Sequence, residues 1–326
     1  MELPGVQLKT LLELTRSGTM TAAAAALGYT PGAVSQHIAA LERATGTELV
    51  RRTGRRVELT DAGHTLATHA ERILAAQAEA VAALERTHGE VRARLRLGVF
   101  GTAAAGLLPP ALRRLGARHP GVRVESREVD VDQAYTEVCA GRVDLALGLD
   151  YPDAPLVRDG TVELVRLCTE RFSLAVPAGQ PPWDAYDAGA KEEGADDAET
   201  EDEATDDAKA GTAALRLADT AGFDWILPAP GSYYGRAVRA ACRRAGFEPR
   251  VVHEVTDTAT SLAMVGAGLG VAPLTELMLR LRSEGITSVP LRDPVVRHIV
   301  VAVGSAACRR PSVAALIDAL REGAAS

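Results

Sequence analysis

Apolar positions in the first 90 residues recur at helical spacing. Over residues 6–16, Val6, Leu8, Leu11, Leu12 and Thr15 share one mostly apolar face, which predicts a helix ended by Ser17-Gly18. Thr19 or Thr21 can cap a short second helix through Leu27, because a hydroxyl there accepts an orphan backbone N–H. The alanine run at 22–26 lets another helix approach closely. Gly28-Tyr29 makes a tight turn, and Thr30 caps a third helix with Pro31 in its first turn, where no N–H is needed. Val34, Ile38 and Leu41 recur at i, i+4 and i+7, so that face is buried and Ser35, Gln36 and His37 lie largely opposite it.

The period then changes. Residues 49–59 (LVRRTGRRVEL) predict a β-hairpin turning at Thr53-Gly54, with Val57 and Leu59 alternating with charge. Thr60-Asp61 opens a helix running to about His88, on which Leu66, Ala70, Ile73, Gln77, Val81 and Leu84 form a near-heptad stripe. Such a helix is about 40 Å long, too long to bury its stripe within one small domain, and is expected to pair with a copy of itself. From Leu95 onward strands and helices alternate: strands at 95–100, 122–129 and 143–149, with helices near 103–118 and 131–140. That order implies a parallel sheet covered by helices. A second unit follows, with strands near 163–167, 172–176, 225–227, 250–255, 270–274, 286–290 and 297–303. Its helices begin at Ser232 and Asp257, and a last helix follows Pro311.

Residues 184–212 interrupt this second unit. They are acidic, alanine-rich and poor in apolar side chains, the composition of a solvated disordered loop. The formal net charge of -7 is explained here: residues 191–207 hold ten acids against Lys191, so the rest of the chain stands at +2. Global acidity therefore does not argue against a DNA surface elsewhere. Hydrophobic residues make up 47% of the 326, enough for two or three packed domains. No stretch has the apolar length of a membrane span. The N-terminus lacks the layout of a signal peptide, which implies a cytoplasmic protein. The four cysteines, Cys139, Cys168, Cys242 and Cys308, form no CxxC pair and are expected to be buried, reduced thiols.

The motif AAAAALGYTPGAVSQHIAALERATGTELVRRTGRRVELTDAG, residues 22–63, resembles the DNA-binding domain of LysR-type transcription regulators. The family's recognition-helix pattern AVS-x-x-I-x-x-LE is present as Ala33-Val34-Ser35, Ile38 and Leu41-Glu42, and its wing pattern as Leu49 to Arg52 and Leu59 to Gly63. Further on, VGAGLGVAPL (265–274) resembles the family's V-x-x-GLGIA-x-LP segment. Two departures stand out: Gln36 replaces a frequent arginine, and Ala39-Ala40 replace frequent basic residues. The resemblance implies an all-α winged helix-turn-helix at 1–62 and a linker (dimerisation) helix at 63–90. It also implies a C-terminal α/β sensor of the two-lobed, type 2 periplasmic-binding-protein-like kind. Its first lobe would comprise 91–162 with 305–326, and its second 163–304.

Residue roles follow. Thr30, Pro31, Gly32, Ser35, Gln36 and His37, at the start of the recognition helix, would face base edges in the major groove. Gln36 can engage adenine through both amide groups, Ser35 can donate or accept, and His37 can donate to a base or a phosphate. Arg51, Arg52, Arg55 and Arg56 on the wing would hold phosphates or enter the minor groove. Leu66, Ile73, Val81 and Leu84 would form the dimer seam, and the resemblance implies a homodimer or a dimer of dimers. In the sensor, the ligand is expected between the lobes, beyond the C-terminal ends of strands. Phe100-Gly101-Thr102 in one lobe and Pro230-Gly231-Ser232-Tyr233 in the other are strand-to-helix junctions, whose free N–H groups suit an anionic or carboxylate-bearing metabolite. Leu147-Gly148 and Thr256 are expected to end further strands of the same site.

No HExxH, GxSxG, P-loop or GxGxxG in strand-turn-helix context is present, so no catalytic, metal or cofactor site is expected. The competing readings are an effector-independent architectural DNA binder and a redox-sensing regulator.

Overall fold

The computed structural model describes residues 2–54, 56–87, 91–152, 162–179, 214–281, 284–292, 294–305 and 307–324. The acidic segment 184–212 lies outside them. The chain divides into two compact units. The first contains residues 1–150, 156–168 and 298–326, and the second 151–155 and 169–297.

The first unit opens with three helices, α1 (Gly5–Ser17), α2 (Met20–Leu27) and α3 (Pro31–Thr45). Leu8, Leu11, Leu14, Ala23, Ala24, Val34, Ile38 and Leu41 interlock as their core. Each helix stops at a glycine in the left-handed region, Gly18, Gly28 and Gly46, where a residue without Cβ carries the least strain. The hairpin β1 (Val50–Thr53) and β2 (Arg56–Leu59) pairs antiparallel, with Arg51 opposite Glu58 and Arg52 opposite Val57. The long helix α4 (Asp61–Thr87) follows, its start capped by the Thr60 hydroxyl, which accepts the Gly63 N–H. Gly63 is required here: a Cβ would lie 2.0 Å from the Leu49 carbonyl oxygen, so the glycine lets α4 settle onto the head.

The rest of the first unit is a five-stranded sheet ordered β4-β3-β5-β12-β6. Its strands are β3 (Ala93–Val99), β4 (Val122–Glu128), β5 (Leu145–Asp150), β6 (Val162–Arg171) and β12 (Val296–Gly304). Strand β3 is parallel to β4 and β5, as the alternating order predicts, but β12 runs antiparallel to β5. The sheet is therefore mixed. Strands β6 and β12, both assigned above to the second lobe, belong mainly to this sheet, β12 pairing along β5 with β6 on its other side. The helix expected near 103–118 is two helices, α5 (Gly101–Gly106) and α6 (Leu108–Arg118), divided at Leu107. Pro109 and Pro110 donate no backbone hydrogen bond, so they fit only the first turn of a new helix. Helix α7 (Ala134–Cys139) packs on β5, and the last helix of the chain, residues 311–324, packs on α6.

The second unit holds an antiparallel sheet ordered β10-β7-β11 and a parallel pair, β8 with β9. Its strands are β7 (Ser173–Pro177), β8 (Asp224–Leu227), β9 (Arg250–Glu254), β10 (Ala272–Leu274) and β11 (Ile286–Pro290). Its helices are α8 (Tyr233–Arg244), α9 (Thr258–Gly266) and α10 (Glu276–Leu279), so the helix at 311–324 is α11. Where β6 and β12 enter this unit, a buried ion pair forms: Arg297 reaches the Glu170 carboxylate at 2.7 Å and donates to the Thr275 hydroxyl at 2.9 Å. The other Glu170 oxygen accepts the Leu277 N–H, and the guanidinium stacks over Phe172.

Candidate DNA-binding and effector sites

Helix α3 presents its N-terminus outward. The Thr30 hydroxyl oxygen accepts the Ala33 N–H at 3.1 Å, which fixes the first turn, and Thr30 itself is exposed. Pro31, Gly32 and Gln36 are exposed, Ser35 and His37 half-buried. Val34, Ile38 and Leu41 anchor the opposite face in the core, so the expected division of the helix holds. His37 is more constrained than expected. The Thr10 hydroxyl donates its one proton to the Val6 carbonyl, so His37 Nδ1, 2.9 Å from Thr10 Oγ1, is the donor of that pair. The ring also meets Tyr29 edge-on. That leaves Nε2 as the ring nitrogen not engaged by Thr10. Glu42, part of the Leu-Glu motif, accepts the Leu49 N–H at 2.9 Å and so ties α3 to the wing. Arg51 and Arg56 are exposed on the hairpin, and Arg52 lies on β1 between them. Arg55 lies outside the described residues.

The apolar stripe of α4 divides. Ala70 turns into the head core and Leu66 packs against it, whereas Ile73, Val81 and Leu84 are 39%, 40% and 61% exposed. An open groove of about 440 Å³ runs beside this stretch, lined by Leu3, Thr45, Leu49, Leu66, His69 and Ile73.

The effector candidates are met separately in each unit. In the first, Phe100 precedes α5 without a side-chain cap, Gly101 is exposed and Thr102 is buried. A Cβ on Gly101 would lie 3.7 Å from a Glu128 carboxylate oxygen. Leu147 and Gly148 do not end a strand: β5 continues to Asp150, and both are buried inside it opposite Val301 and Val300. In the second unit, the Ser232 hydroxyl caps α8, accepting the Gly235 N–H at 3.0 Å and donating to the Ala229 carbonyl at 2.7 Å. Tyr233 is buried, and its hydroxyl accepts the Tyr151 N–H at 3.1 Å. Pro230 and Gly231 are exposed, and Arg236 donates to the Gly231 carbonyl. Thr256 is exposed just past β9, in a shallow concavity shared with Pro228, Tyr234, Thr258 and Ser261. The neighbouring Asp257 caps α9, and hydrogen bonds from Thr260 hold its carboxyl below the usual range.

Two family models match the sequence. Residues 6–64 match the bacterial regulatory helix-turn-helix protein, lysR family, and residues 88–190 with 204–325 match the LysR substrate binding domain. The chain belongs to the LysR family. It is a DNA-binding transcription regulator with a substrate-binding domain, as the recognition-helix motif implied. Probable HTH-type transcriptional regulator LrrA of Synechococcus elongatus is 29% identical over 98% of this chain and 96% of its own length. A probable hydrogen peroxide-inducible genes activator of Mycobacterium avium is 32% identical, but the match spans only 53% of this chain and 54% of that relative. A full-length OxyR variant from Pseudomonas aeruginosa superposes with a TM-score of 0.62 at 19% identity, covering 98% of this chain and 95% of that one. Full-length CbnR complexed with its target DNA superposes at 0.52 and 23% identity, covering 99% and 100%. At these identities the superpositions speak for the fold.

The LysR-family chain also contains a cluster that local pattern does not reveal. Glu85, near the end of α4, is buried and takes the Ser312 N–H and hydroxyl at 3.1 and 2.7 Å, capping α11, while Arg310 holds its other oxygen. The partners lie more than 200 residues apart, so no window of sequence contains them. Among the described residues no helix is long and apolar enough to cross a membrane.

Proposed function

We propose that this regulator binds its operator as a homodimer or a dimer of dimers, in the cytosol, with an affinity set by a small molecule held in the C-terminal domain. One observation carries the reading: an exposed recognition-helix N-terminus and a substrate-binding domain share one chain, and the first part of that domain lies in the same compact unit as the head. The exposed apolar residues Ile73, which lines the groove, and Val81, about two turns further along α4, support pairing with a second copy. Their near-heptad spacing is that of a helix-pairing seam.

For the effector, the residues supporting the reading are Phe100, Gly101 and Thr102 in the first unit and Thr256, Pro230 and Gly231 in the second. Tyr234 and Ser261, absent from the sequence-based set, join Thr256. Glu128 beside Gly101 and Asp257 beside Thr256 weigh against an anion at those helix starts. The screen that tests the proposal therefore spans neutral, aromatic and carboxylate-bearing metabolites. Thermal shift of the purified protein identifies a binder, and DNA binding is then titrated with and without it. A binder that leaves DNA affinity unchanged, or no binder at all, favours the effector-independent architectural reading instead. A redox reading needs a reactive thiolate. Cys242 does not supply one, since burial pushes its thiol up to about 12.

A further inference from the structure

Arg142 lies on the turn after α7, in the substrate-binding part of the chain, yet its guanidinium reaches into the DNA-binding head. Nη1 donates to the Ala26 carbonyl at 2.8 Å. The N–H groups of Gly28 and Tyr29 return to Ala24 and Ala25, so the Ala26 carbonyl is left over at the C-terminus of α2. There the helix dipole favours a cation. The same side chain covers the helix-turn-helix turn, since a Cβ on Gly28 would lie 2.8 Å from Nη1. Two residues further on, Thr30 caps the base-reading end of α3.

Arg142 is itself held in place. Glu137, buried on α7, accepts from its Nε at 2.9 Å and pairs with its Nη2 at 2.7 Å, and Arg127 takes the other Glu137 oxygen. Lys9 of α1 lies against the same turn, with Nζ 2.9 Å from where a Cβ on Gly141 would stand. Two helices of the head thus grip one turn of the sensor. We propose that Arg142 is a positioning residue for DNA recognition: by anchoring the end of α2 to the substrate-binding domain, it sets the pose in which α3 meets DNA. Arg142 touches no base-reading residue, so the half-site sequence is independent of it. What depends on it is the spacing at which two heads of a dimer can bind at once, and in that respect the inference rests on the dimeric reading above.

The test uses the full-length protein and a randomised duplex library. Wild type is expected to enrich paired half-sites at one spacing. Arg142→Ala should enrich the same half-site, with its preference over a spacing one base pair longer or shorter reduced by about tenfold, the scale of one charge-assisted hydrogen bond. Arg142→Lys, which keeps a cation for the Ala26 carbonyl, should recover part of that preference. Affinity for a duplex carrying a single half-site should not move. An unchanged spacing preference, or a lost half-site motif, overturns the proposal. Hydrogen exchange in the free protein decides independently of dimerisation. Arg142→Ala should speed exchange in residues 22–30 by about tenfold while α6 and α11 keep wild-type protection. If wild type enriches no paired half-sites, the dimeric reading fails and exchange alone judges Arg142: unchanged protection across 22–30 overturns it.

Discussion

Gln36 is where sequence information is expected to enter. It is exposed on a helix whose other face is locked in the core, and its amide matches the adenine edge in donor and acceptor. Gln36→Ala should reduce discrimination between selected and scrambled duplexes by about 1–3 kcal/mol. Arg56→Ala, on the exposed wing, should weaken both duplexes about equally and flatten the salt dependence, because phosphate contact is the role expected of that arginine. Titrations of each variant on both duplexes at several salt concentrations separate the two effects. Glu137 gives a pH-dependent counterpart. The Arg142 hydrogen bonds hold its carboxyl below the ordinary carboxylate value. Its contribution to stability is therefore complete above that ordinary value and is lost as pH falls through the lowered one. Glu137→Gln should lower stability at neutral pH and flatten the acid limb of a urea-unfolding series, whereas an acid limb matching wild type would remove Glu137 from the account.

Among the elements, those with strong periodicity were legible in the sequence. Helices α1 to α4 and the wing follow from apolar spacing, glycine stops and threonine caps. The division of α5 from α6 was signalled by Pro109-Pro110, but a continuous apolar pattern masked it. The antiparallel entry of β12 was not legible, because strand direction depends on which edge of the sheet remains open. The ion pair joining β6 to β12 was equally hidden, since Glu170 and Arg297 each look like ordinary polar residues of a strand. Both are buried, so removing one partner strands the other's charge. Arg297→Met should cost about 3–5 kcal/mol in urea unfolding. The joint change Glu170→Leu with Arg297→Met should cost less than Arg297→Met alone. A double variant as unstable as the sum of the two single changes would mean the two residues act separately.

At the scale of the whole molecule, α4 joins reading head to sensor. One face of its first half, through Ala67 and Ala70, packs into the head, its far end caps α11 through Glu85, and the exposed residues Ile73, Val81 and Leu84 are where a second copy is expected. Ile73→Asp should convert the oligomer to monomers or aggregates and abolish operator binding, because two half-sites need two heads at fixed separation. Sedimentation showing an intact oligomer would remove α4 as the seam. The effector site was only partly legible. Strand-to-helix junctions were recognised at Phe100 and Ser232, but pattern could not reveal that β5 carries on past Gly148 or that the Ser232 hydroxyl is already engaged. The central claim is that one chain couples DNA reading to a small molecule, and the direct measurement is the affinity for a selected duplex with and without a ligand found by thermal shift. The account predicts a change of about 5-fold to 150-fold, with the duplex altering ligand affinity by the same factor. Equal DNA affinity at saturating ligand would contradict it.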